Sequence, residues 1–133
     1  MPASLFSRGT FSKGTFAKWS PFAISFVVTC TFFINFCSWI FQCGCRSLWA
    51  GADIACNIHA AHGRHCPWCT YGSSHGYAGY AILMILLCAP QLAVTFFTRW
   101  NWPLRTIAAV ALFPISGLIV ALVYGTLGKY WKP

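Results

Sequence analysis

Between residues 43 and 69 the chain gathers Cys43-Gly-Cys45, Cys56, His59, His62 and His65-Cys66-Pro-Trp-Cys69, most of its eight cysteines and four histidines. Thiolates and imidazoles crowded at short spacing are donors for Zn²⁺, with copper or iron as further options. Cys66 and Cys69, two residues apart with Pro67 shaping the turn between them, form a chelating knuckle. Cys43 and Cys45 are only one residue apart, a spacing uncommon in structural zinc sites, so Cys56 or a histidine is a further candidate ligand. His59, His62 and His65 recur every three residues, which puts them near one face of a helical turn. The candidate metal ligands are therefore Cys43, Cys45, Cys56, His59, His62, His65, Cys66 and Cys69.

The same residues allow two other chemistries. In an oxidising compartment, pairs of these cysteines would close as disulfides and staple a segment with no core of its own. Cys66-Pro-Trp-Cys69 is also a thiol-redox spacing. Covalent c-type haem is unsupported, because its attachment motif needs a histidine after the second cysteine and Thr70 stands there. An iron–sulfur centre ranks below zinc, since the regular spacing of a ferredoxin run is missing.

The elements that must position this cluster are apolar. Of 133 residues, 58% are hydrophobic and 8% charged, far from the quarter or so charged in a soluble domain. Uncharged runs at 19–45, 76–98 and 106–128 are each long enough for a bilayer core, which takes about 20 helical residues. The expected fold is an all-α integral membrane protein: three transmembrane helices with a Cys/His-rich extramembrane loop between helices 1 and 2. The expected divisions are an interfacial arm at 1–18, helices at 19–42, 76–98 and 106–128, the loop at 43–75, a Trp/Arg turn at 99–105 and a tail at 129–133.

Ser20-Pro21 supplies an N-cap and a first-turn proline for helix 1. Pro90 and Pro114 predict kinks in the other two, with Gln91 placed to satisfy a freed carbonyl. Ser116-Gly117 allows close helix contact. Cys30 and Cys37 lie inside helix 1 and are expected to pack rather than ligate. The arm repeats Ser7-Arg-Gly-Thr-Phe11 as Ser12-Lys-Gly-Thr-Phe16, each unit offering a cation, a glycine and an aromatic ring to a lipid surface.

The net charge of +8 rests on nine Lys/Arg against one acid, Asp53. The cations sit singly at the ends of apolar runs, which points to lipid headgroups and away from nucleic acid. Arg8, Lys13, Lys18, Arg99 and Arg105 fall on one side of a three-helix arrangement, against Arg46, Arg64, Lys129 and Lys132 on the other. The positive-inside bias therefore expects a cytoplasmic N-terminus and a periplasmic or extracytoplasmic loop. Asp53 is a candidate for local pairing or for support of a ligand histidine.

No expected span carries an ionisable side chain in its middle, which disfavours proton relay or independent transport. The expected function is a small accessory or structural subunit of a larger membrane complex, for instance a bioenergetic one, with its loop metal-bound or disulfide-stapled and docked on a partner subunit. The alternatives are a membrane thiol–disulfide oxidoreductase using Cys66 and Cys69, and a Cu/Zn-handling membrane protein.

Overall fold

A computed structural model describes residues 13–52, 54–62 and 64–131. The tandem repeat of the arm, up to residue 12, and Asp53 lie outside the described residues. The chain forms helix α1 (Lys13–Phe41), two single 3₁₀ turns (Leu48–Ala50 and Asn57–His59), the short helix α2 (Pro67–His75), α3 (Tyr77–Phe97) and α4 (Trp102–Leu127). Three of the four α-helices are long and apolar enough to cross a membrane, over Phe16–Phe41, Tyr77–Phe97 and Trp102–Leu127.

Two expectations change. Helix α1 begins at Lys13 rather than near Ser20, so Pro21 lies inside it. The carbonyl that Pro21 leaves unbonded is that of Ala17, on a turn where Ala17, Lys18 and Trp19 are exposed and outside groups can reach it. The second change is α2, which occupies the last third of what the sequence presents as a loop. Cys66 is its N-cap and Pro67 its first residue, the position where a missing N–H is not needed.

The helices meet along faces of small residues. In α1 the buried positions Pro21, Ser25, Thr29, Cys37 and Phe41, with half-buried Phe33, recur every four residues and make one continuous stripe. Helix α4 turns Ala109, Ser116, Gly117, Ala121 and Gly125 inward and packs on both α1 and α3. A side chain at Gly117 would collide with the Phe36 ring, so this glycine sets how closely α1 and α4 approach.

Polar contacts cross the interior: Gln91 Nε2 donates to Thr29 Oγ1 at 2.9 Å and to the Leu87 carbonyl at 3.0 Å, and Ser116 Oγ of α4 donates to the same carbonyl at 3.4 Å. Gln91 thus links α3 to α1. At one end of the bundle, Trp102 Nε1 donates to Ser20 Oγ at 2.7 Å, and Arg105 Nη2 donates to the carbonyls of Thr98 and Trp100. That arginine takes up free carbonyls where α3 ends and fixes the tight turn into α4.

Candidate metal centre

Six cysteines converge at the other end of the bundle, each brought there by a local device. Cys37 is carried in by the four-residue stripe of α1 and is buried. Gln42, at φ 48°, ends the helix in the left-handed region and turns the chain into Cys43-Gly44-Cys45. Gly44 has φ +80°, and a Cβ there would lie against the Ala55 carbonyl oxygen. Only glycine suits that position, and the resulting turn buries both flanking thiols. Cys66 and Cys69 stand at the N-cap and in the first turn of α2, where free N–H groups and the helix dipole favour thiolate.

Asn57 ties these pieces together. Its N–H donates to the Cys43 carbonyl, its Nδ2 to the Arg64 carbonyl, and its Oδ1 accepts from the Cys66 N–H, all at 2.8 Å. Arg64 Nη1 in turn donates to the Tyr130 carbonyl at 2.8 Å, and the Tyr130 hydroxyl donates to the Phe41 carbonyl. The C-terminal segment after α4 is thereby fastened over the cluster.

The sulfurs form a network. Sγ–Sγ separations are 3.2 Å for Cys37 and Cys66, 3.3 Å for Cys43 and Cys45, and 3.5 Å for Cys56 and Cys69. Two triads, Cys37/Cys43/Cys66 and Cys43/Cys45/Cys56, each have their sulfurs within 4.8 Å of one another. A tetrahedral ion with Zn–S bonds of about 2.3 Å sets its sulfurs about 3.8 Å apart. The cysteine groups thus have the geometry to hold a metal ion.

Hydrogen bonds from Cys37 and Cys66 hold the Cys69 thiol down at about 5, and bonds from Cys37 and Cys43 lower Cys66. Burial, with Cys56 and Cys43 adding to it, pushes Cys45 up. Cys69 therefore has thiolate character near neutral pH, the form that ligates metal, and Cys66 is shifted in the same direction.

Beneath the sulfurs lies an aromatic floor. Trp68 is fully buried, stacked on Phe33 at 5.1 Å between centroids and edge-on to Phe41 at 5.7 Å. Its Nε1 has no hydrogen-bond partner among the described residues. Beside it a mostly apolar cavity of about 320 Å³ is lined by Phe33, Trp68 and Tyr80 and by the thiols Cys37, Cys45 and Cys69.

All five cysteines expected as ligands are brought together. The three histidines stand elsewhere: His59, His62 and His65 are exposed, and neither triad includes one. His65 Nε2 donates to the Ala60 carbonyl at 3.1 Å. Cys37, expected to pack, instead joins the cluster. Its place on the buried face has a signal in the sequence, because Ser25, Thr29, Phe33, Cys37 and Phe41 keep the spacing of one helix face, but its nearness to the other cysteines has none. Asn57 gave no comparable signal. No family model, curated protein or solved structure matches this chain.

Proposed function

We propose that the chain is a small membrane-embedded subunit whose cap, at one end of three spans, is closed by a zinc–thiolate centre and docks a larger membrane partner. The observation that carries this reading is the convergence of six cysteines, five of them buried, from α1, the connecting segment and α2 at one end of the bundle. An all-thiolate donor set suits Zn²⁺ in a closed structural site, with Cu⁺ and iron as competitors. Placement in lipid is supported by exposed tryptophans at both ends of the bundle, Trp19, Trp100 and Trp102 at one and Trp39, Trp49 and Trp131 at the other. Docking is supported by Leu48, Trp49 and Ile54, which expose large apolar side chains from the cap itself. A cytoplasmic N-terminus and an extracytoplasmic cap are supported by the five-to-four balance of basic residues between the two sides.

The test is elemental analysis of the protein purified from its native membrane in mild detergent, followed by chelation and chemical cross-linking. Zinc should co-purify, and stripping it should abolish the cross-linked adduct. Metal-free protein with an unchanged adduct would reject the reading.

A second reading, thiol–disulfide oxidation, is favoured by the cavity with three thiols in its wall. There two thiols would form a disulfide, giving two electrons and two protons to a quinone-class acceptor. Cys66 and Cys69 each also have another thiol at hand as a redox partner, Cys37 at 3.2 Å and Cys56 at 3.5 Å. A thiol count that falls by two on addition of a soluble quinone would support this reading over the first.

A further inference from the structure

The arrangement of neighbours among the six sulfurs is more specific than a crowd. Cys43 belongs to both triads, so it lies within 4.8 Å of Cys37, Cys66, Cys45 and Cys56. Cys69 stands in neither triad; its sulfur lies 3.5 Å from Cys56, and its thiol interacts with those of Cys37 and Cys66. The other four divide into two pairs. Cys37 and Cys66 neighbour each other and Cys43. Cys45 and Cys56 likewise neighbour each other and Cys43, and among the described residues no triad joins one pair to the other.

Two four-coordinate ions on six sulfurs make two tetrahedra that share an edge. Cys43 lies within 4.8 Å of the other four triad sulfurs, each triad supplies three corners of one tetrahedron, and Cys69, beside Cys56, is the remaining thiol of the cluster, left to supply the fourth corner of both. Disulfides would need only one near neighbour per sulfur, and a single tetrahedral ion would use four of the six.

We propose that the cap binds two divalent zinc-class ions as a binuclear cluster, bridged by Cys43 and Cys69, with Cys37 and Cys66 completing one ion and Cys45 and Cys56 the other. Two M²⁺ ions displace the protons of six thiols, forming eight metal–sulfur bonds and leaving a cluster of net charge −2. The Cys66 and Cys69 end of α2 presents N–H groups to that negative charge. Cys43-Gly44-Cys45 also gains a reason for its tight spacing: a bridging and a terminal ligand of one ion must sit on adjacent corners, and the left-handed Gly44 places them 3.3 Å apart.

The proposal rests on the metal reading above but fails separately from it. The full chain, purified in detergent and exchanged with ¹¹³Cd²⁺, is analysed for cadmium per chain and by ¹H–¹¹³Cd correlation. Two equivalents are expected, with two ¹¹³Cd resonances. The Hβ protons of Cys43 and Cys69 should correlate with both resonances and those of the other four cysteines with one each. One equivalent on four sulfurs would overturn the binuclear cluster and leave the metal reading standing. No bound cadmium, or iron with acid-labile sulfide in the native protein, would overturn both this proposal and the zinc assignment.

Discussion

The interior of the long helices and the cap above it are held by different forces. Between α1, α3 and α4 the contact surfaces carry small side chains in regular rows, with hydrogen bonds from Gln91 to Thr29 and from Ser116 to the Leu87 carbonyl across them. In the cap, the described residues of 42–66 contain two single 3₁₀ turns and no longer helix. What is buried there is sulfur, above Trp68 and Phe41. So short a segment cannot bury enough apolar surface to offset its own ordering entropy and needs cross-links. Cap and bundle should therefore respond to separate insults.

The largest effect is expected from breaking the cap at its tightest turn. Gly44→Ala would add a Cβ against the Ala55 carbonyl at a φ of +80°, a backbone strain that costs about 1–3 kcal/mol before the collision is counted. The expected outcome is faster alkylation of the cap thiols and loss of bound metal, while far-UV circular dichroism still reports the long helices. Unchanged thiol protection would mean that the turn does not hold the sulfurs in place.

A smaller effect should come from the bundle side. Gln91→Leu removes the bond to Thr29, which keeps its own bond to the Ser25 carbonyl at 2.9 Å. Interhelical hydrogen bonds of this kind contribute about 0.6 kcal/mol. The variant should unfold at slightly lower denaturant concentration in detergent, with metal content intact. Metal loss in Gln91→Leu would show that the two regions are one cooperative unit, and the comparison would break.

The same contrast explains what could be read from the sequence. The long helices were legible because uncharged runs of more than 20 residues have few other uses, and α3 and α4 begin and end within a few residues of expectation. Helix α2 was hidden because Pro67–His75 carries too few apolar residues to show a period, although Cys66-Pro67 is a usable start signal. The five cysteines of residues 43–69 drew attention by their spacing alone, and the fold gathers them at one end of the bundle. Cys37 drew none, because spacing measures proximity along the chain, and Cys37 reaches the others through a helix face. Asn57 joins three backbone groups that only the folded cap brings within reach.

The smallest effect is expected where the sequence looked most suggestive. His59, His62 and His65 share a spacing that suits metal ligation, yet all three are exposed and no triad contains them. Replacing the three with alanine together should leave the metal content unchanged. Stability should move by no more than about 1 kcal/mol, the worth of the His65 bond to Ala60. Elemental analysis of the triple variant checks this directly. Loss of one equivalent would make a histidine a ligand and the donor set mixed, and the assignment of all six sulfurs to two ions would have to give way to a Cys/His site. Retention of all metal would confine the chemistry of the cap to sulfur, leaving the histidines on its outer surface free to act on whatever meets it.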